Sequence, residues 1–180
     1  HGASSAFVTV FLKTLTNRIR RHFEKRTSVS LLSPARIMAA MNEELRALDT
    51  GKHLTVFCGV IDTNLQKLTY AVGAHYPPPI LCNGNEVMQL AGSGLPLGLF
   101  PDAKYEEHVV DLQHRFSLVA ASDGILEILS ASDLVAKEAR LLAEVAAAQG
   151  QLDVLIERLG LPSVRDVPDD IALLMIQRDE

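Results

Sequence analysis

The sequence carries two cysteines, Cys58 and Cys82, too few for a disulfide framework. Cys58 lies in an apolar run with Val56, Phe57, Val60 and Ile61 and reads as a small core residue. A reducing, cytoplasmic setting is the expectation. No run of 18 apolar residues exists, so no membrane-spanning helix is expected. The chain opens on His1-Gly2-Ala3-Ser4, with no basic segment ahead of an apolar stretch, and no secretory leader is expected. There is no cationic excess either. A net charge of -5 gives no reason to expect nucleic acid as a partner.

Several catalytic signatures are also missing. Gly92-Ser93-Gly94 lacks the spacing of a nucleophile elbow. No phosphate-cradling Walker A loop is present, and no Gly-x-Gly-x-x-Gly follows a strand. No Cys-x-x-Cys or His-Glu-x-x-His pair offers zinc a site. His75, beside Tyr76 and three prolines, is the only histidine in a suggestive context, and it reads as a structural residue.

What is present is an ordinary globular balance, 48% hydrophobic and 22% charged over 180 residues, which suits one domain, residues 1–180, with a real core. Ala6, Phe7, Val8, Phe11, Leu12, Leu15 and Ile19 recur at helical spacing and predict a first helix from about Ser4 to Phe23. Its basic end, Arg18 to Arg26, suits the helix dipole and reads as a solvated face. Such an immediate helical start leads us to expect further chain upstream of His1. Ser33-Pro34 is a helix start, Ile37, Met38, Met41, Leu45 and Leu48 keep the spacing, and Gly51 is the expected C-cap.

After Gly51 the pattern turns to strands. Leu54–Ile61 and Leu68–Val72 flank the turn Asp62-Thr63-Asn64. Ile80–Cys82 and Glu86–Leu90 flank Asn83-Gly84, a short-hairpin signal. Gly92 to Pro101 is a glycine-rich loop. Glu106–Leu112 and Phe116–Ala121 are further strands, Asp133–Ala148 and Leu152–Leu159 are helices, and Ile171–Ile176 is a last strand, expected to be central because it is apolar throughout. Runs of strands with segregated helices predict an α+β fold, with sheets covered on both faces.

Two acidic positions stand out by placement. Asp123 ends the apolar run Phe116–Ser122 and precedes Gly124, whose backbone can turn tightly. Asp169 and Asp170 stand just before the final strand. Fixed carboxylate oxygens at the boundary of strand and loop suit a hard divalent cation. Asp-Gly is equally a common turn, and Asp after Pro a common strand-leading residue. Spacing alone leaves both readings open, and it does not show that the two sites meet.

Taken in order, the segments resemble the PPM (type 2C) protein phosphatases, in the bacterial branch typified by SpoIIE and RsbU. His1-Gly2-Ala3-Ser4-Ser5-Ala6 resembles the tail of that branch's Gly-Asp-Val-Ser-Gly-His-Gly motif. Gly73-Ala74-His75-Tyr76-Pro77-Pro78-Pro79 resembles its Asn-Ala-Gly-His-Pro-Pro-Pro block, with the order around His75 shifted. Gly94-Leu95-Pro96-Leu97-Gly98 resembles its Gly-x-Pro-Leu-Gly loop. Ser122-Asp123-Gly124-Ile125-Leu126-Glu127 resembles its Ser-Asp-Gly-Val-Thr-Glu signature, with Leu126 in place of Thr. Asp169-Asp170-Ile171-Ala172-Leu173-Leu174 resembles its closing Asp-Asp-x-Thr-Leu-Leu.

The resemblance implies a four-layer α/β/β/α sandwich of antiparallel sheets, with its first strands ahead of His1. It implies a site for two Mn²⁺ or Mg²⁺ ions, with Asp123 and Asp169 as the catalytic metal ligands and Gly124 and Asp170 beside them, Asp170 in support. The remaining ligands of the family also lie ahead of His1, so this stretch alone is expected to bind metal poorly and hydrolyse little. The implied substrate is a phosphorylated regulatory protein of the anti-sigma-factor-antagonist type. The implied context is the output domain of a response regulator or sensor, with N-terminal helices able to dimerise. The competing expectation is a catalytically degenerate adaptor that binds a sigma factor or its regulator.

Overall fold

The structure is a computed structural model, and it describes residues 33–49, 51–165 and 169–179, together with Val10, Lys13, Thr14, Thr16, Asn17, Arg20 and Arg21. Those seven residues are helical, in the span where the first helix is expected. The rest of that helix, Arg18, Lys25, Arg26 and the His1–Ala6 motif tail lie outside the described residues. The chain forms two compact units, one taking the chain up to His75 with Gly92–Val110, the other Tyr76–Ala91 with the chain from Asp111 onward.

In the first unit, helix α1 (Pro34–Ala47) starts as the sequence predicts. Ser33 is the N-cap, its side chain accepts from the Arg36 N–H, and Pro34 takes the first position, where a missing N–H costs nothing. Glu107 supports the same end by accepting from the Ala35 N–H at 3.2 Å. Met38, Met41 and Leu45 form the buried stripe. The helix stops earlier than expected: Leu48 caps it, Asp49 takes a positive φ of 47°, and Gly51 lies beyond the cap. Asp tolerates the left-handed region better than most residues, so the chain turned without waiting for glycine.

Strands β1 (Val56–Asp62) and β2 (Lys67–Gly73) pair antiparallel, with Val56 opposite Gly73 and Asp62 opposite Lys67. Asp62 Oδ1 accepts from the N–H groups of Asn64 and Leu65, both at 2.9 Å, which closes the turn. The sheet order is β1-β2-β5, where β5 is His108–Asp111. Ala71 and Leu97 pack with Met38, Met41 and Leu45, and Val56 and Cys58 join them. Period 2 places those strand residues on one face and the ring pair Phe57–Tyr70 (centroids 5.4 Å apart) on the other.

In the second unit the sheet order is β4-β3-β6-β7, antiparallel throughout. The strands are β3 (Ile80–Asn83), β4 (Glu86–Gln89), β6 (Phe116–Ala121) and β7 (Leu173–Arg178). Asn83 pairs with Glu86, so the hairpin loop is Gly84-Asn85, one residue later than read from Asn83-Gly84. Gly84 takes the positive φ (63°) that such a two-residue loop demands. Asn83 has a different task. It is buried, donates to the Asp111 carbonyl at 2.9 Å and accepts from the Gln113 N–H at 2.7 Å, which anchors the approach to β6.

Helices α2 (Gly124–Ile128), α3 (Leu134–Ala148) and α4 (Leu152–Arg158) complete the unit. Ile125, Leu126, Leu141, Val145 and Leu155 bury together with Ile80 and Val119 of the sheet. The sequence does not suggest α2: five residues are too few for a helical period to declare itself. Leu126, which departs from the family signature, is 3% exposed in this core and has an apolar role there.

The last strand corrects the sequence reading. β7 begins two residues later than Ile171 and, among the described residues, lies at the edge of its sheet, next to β6 alone. Leu174 and Ile176 are 58% and 42% exposed, while Leu173 and Met175 pack on the core. An apolar run is consistent with burial on both faces, but here the strand alternates.

Candidate metal-binding rim

β6 delivers the first acidic residue. Its side chains Phe116–Val119 are buried, so the strand is held rigidly, and it ends at Ala121. Ser122 continues the pairing with the opposite chain through its N–H, which donates to the Ala172 carbonyl at 2.9 Å. Asp123 follows as the N-cap position of α2, with helical backbone (φ -61°, ψ -27°). Its carboxylate makes no capping hydrogen bond and is exposed. It is therefore not engaged in closing the helix, although a first-turn carboxylate usually is.

The second acidic pair is brought to the same place by β7. Ser122 Oγ donates to the Asp170 carbonyl at 2.9 Å and accepts from the Ala172 N–H at 2.8 Å. Gly124 is buried against the same segment. A Cβ built on it would stand 2.6 Å from the Asp170 carbonyl oxygen and 3.1 Å from that of Asp169. No side chain fits there, so the glycine is required by close approach of backbone to backbone. Asp169 Oδ1 accepts from the Asp170 N–H at 2.8 Å, which orders that carboxylate, and both aspartates are exposed.

The structure therefore places Asp123, Gly124, Asp169 and Asp170 along one rim of the second unit. The two sequence segments, 45 residues apart, meet at the level of their backbones. The donors are of the kind a hard divalent cation takes: carboxylate oxygens on fixed backbone, with carbonyls beside them. Their number is small. Among the described residues no group of three or more His, Cys, Asp or Glu side chains is arranged to hold a metal ion. The residues fit part of a ligand shell of six or so oxygens.

Residues outside the rim sort differently. His75 stacks obliquely near Phe57, with centroids 6.3 Å apart, within the first unit. A cavity of about 410 Å³ opens in the second unit at the start of β6, lined by Cys82, Arg115, Ser117, Gln149 and Gln177. It lies at the other end of β6 from Asp123. Ser122 has no role in the sequence pattern beyond ending the run Phe116–Ser122 and opening the Ser-Asp-Gly motif. Its side chain makes the contacts that join the two acidic segments. A hydroxyl directly before Asp-Gly at a strand end is the signal that could have found it.

Antiparallel sheets flanked by helices are the fold of the type 2C class of phosphatase domains. Solved structures of that class share this fold. The RsbU and RsbW domains of a Mycobacterium tuberculosis protein match over 92% of this chain and 46% of theirs, at 22% identity and TM-score 0.70. The SiaA PP2C domain of Pseudomonas aeruginosa matches over 99% and 72%, at 19% identity and TM-score 0.70. The manganese-presoaked phosphatase domain of SpoIIE from Bacillus subtilis matches over 94% and 72%, at 19% identity and TM-score 0.61. The chain thus spans less than half of the first of these. No curated protein matches it by sequence. The family described as stage II sporulation protein E (SpoIIE) matches residues 1–179, and the chain belongs to that family.

Proposed function

We propose that this chain is the larger part of a metal-dependent serine/threonine phosphoprotein phosphatase, acting in bacterial signalling on a phosphorylated regulatory protein. The observation that carries the reading is the junction of Ser122-Asp123-Gly124 with Asp169–Ala172, which brings exposed acidic positions from both segments to one rim. Membership of the SpoIIE family supports it. So does the exposure of both Asp123 and Asp169, since a substrate phosphate on a protein surface must reach them.

In this reading Asp123 and Asp169 ligate Mn²⁺ or Mg²⁺, Asp170 supports Asp169, and Gly124 lets the two backbones approach. Bound divalent ions would supply an activated water near neutral pH and neutralise charge on the phosphoryl oxygens. The chain's own contacts hold the two acidic segments together before the cation arrives, which lowers the ordering cost at binding. Two carboxylates do not fill a hard cation's shell, and the further oxygen donors are those that the family resemblance puts ahead of His1. The substrate class follows from the family context: a phosphoserine or phosphothreonine on a small antagonist of an anti-sigma factor. No helix among the described residues is long and apolar enough to cross a membrane, and a cytoplasmic setting and dimerisation through the N-terminal helices belong to the same proposal.

The test is hydrolysis of a phosphoserine peptide by the full-length protein with and without Mn²⁺. Manganese-dependent turnover that Asp123→Asn abolishes supports the reading. Absence of turnover, with the fold and the upstream acidic residues intact, would replace it with an adaptor that binds a partner without hydrolysis.

A further inference from the structure

We infer that Ser122 is a positioning residue for the metal site: its hydroxyl takes over the hydrogen bond that its own carbonyl would make in the sheet, and so lets the chain leave β6 for α2 while the segment carrying Asp123 stays bonded to Asp170 and Ala172. The inference rests on the phosphatase reading above and concerns the same rim.

The argument begins with register. β6 and β7 are antiparallel, and Ala121 lies opposite Leu173. One step further, Ser122 lies opposite Ala172. In a regular ladder such a hydrogen-bonded pair exchanges two bonds, each N–H going to the opposite carbonyl. One of them is present: the Ser122 N–H donates to the Ala172 carbonyl at 2.9 Å. The reciprocal bond is altered. The Ala172 N–H donates to Ser122 Oγ at 2.8 Å, not to the Ser122 carbonyl.

The displaced carbonyl is used elsewhere. It accepts from the Ile125 N–H at 3.1 Å, and the Asp123 carbonyl accepts from the Leu126 N–H at 2.9 Å; these are the first bonds of α2. One residue thus closes the ladder with its side chain and opens the helix with its backbone. Without the hydroxyl, the Ala172 N–H would lose its partner in the ladder or the Ser122 carbonyl would turn back and unwind the first turn of α2. Either change moves Asp123.

The hydroxyl proton completes the clasp. It goes to the Asp170 carbonyl at 2.9 Å, in the segment whose carbonyl oxygens crowd Gly124. Ser122 therefore fixes both sides of the rim: the direction in which the chain carries Asp123, and the height of Asp169–Asp170 against it. Groups that orient metal ligands typically change metal affinity by about 10–100-fold when removed.

The experiment uses the full-length protein and three variants: Ser122→Ala, Ser122→Thr and Asn83→Ala. Asn83 anchors the far end of the same sheet and serves as a stability control. Mn²⁺ binding is measured directly from the loss of the free-ion resonance signal, and thermal unfolding is followed without metal. The expected result is a Kd for Mn²⁺ weakened about tenfold or more in Ser122→Ala, restoration to within a few-fold by the hydroxyl of Ser122→Thr, and an unchanged Kd in Asn83→Ala despite a lowered Tm. Equal Mn²⁺ affinity in Ser122→Ala and the parent would overturn the positioning role while leaving the phosphatase reading intact. A parent protein that binds no Mn²⁺ would overturn both.

Discussion

Gly124 and Asp170 are packed backbone against backbone: a methyl group on Gly124 would come within 2.6 Å of the Asp170 carbonyl oxygen and 3.0 Å of its carbonyl carbon. Neither partner is a flexible side chain, so nothing can swing aside. Gly124→Ala must part the two acidic segments. We expect a loss of about 1–3 kcal/mol in stability from overpacking, read from denaturant unfolding. Metal-dependent phosphatase activity of the full-length protein should fall further than stability alone explains. Retention of both would mean that the junction is looser than its geometry.

The Asp133 side chain gives stability a pH dependence. Asp133 caps α3 by accepting from the Ala136 N–H at 2.9 Å, and Ser132 donates to its other oxygen at 3.0 Å. The backbone bond first and the Ser132 bond second hold its carboxyl below the ordinary value of 3.8. A depressed folded pKa contributes stability above the unfolded value, and that stability is lost as pH falls through and below 3.8. Asn also caps helices but does not titrate here. In Asp133→Asn, Tm measured between about pH 5 and pH 3 should fall less steeply than in the parent. Identical slopes would remove Asp133 from the account of acid unfolding.

Cys58 should be inert as a nucleophile. Burial first, and the Glu107 charge second, push its thiol up from 9.0 to about 11. At pH 8 only about a thousandth of it would be thiolate. Native protein treated with iodoacetamide at pH 8 should carry little label at Cys58 by peptide mass spectrometry, and unfolded protein should label freely. Rapid native labelling would show that the β1 face opens.

The end of α3 leaves stability unused. Gln149 caps it in the left-handed region, at φ 49°. A side chain pays for that conformation through contact of its Cβ with the following carbonyl, which glycine avoids. Gln149→Gly should raise stability by about 0.5–1 kcal/mol after the greater unfolded-state entropy of glycine is deducted. Unfolding midpoints in urea would register the change, and a decrease would mean that Gln149 makes a contact worth more than its strain.

The sequence by itself determined most of the local structure. Ser33-Pro34 set the start of α1, because a hydroxyl cap and a residue without an N–H suit only that end. Phe116–Ala121 was legible as a strand to the residue, and the four acidic-rim positions were legible as a pattern. Where residues act through short-range geometry, one-dimensional spacing is enough.

Tertiary structure decided what depends on neighbours distant in the chain. The edge position of β7 could not be read from Ile171–Ile176, because an apolar strand does not reveal how many partners it has. The helix after Asp123 depends on Ala172 bonding to a side chain, 50 residues away, and no local propensity encodes that. The meeting of Ser122–Gly124 with Asp169–Ala172 is likewise a property of strand pairing. It is the register of β6 on β7, set by side-chain burial along both strands, that turns two separate turns into one rim.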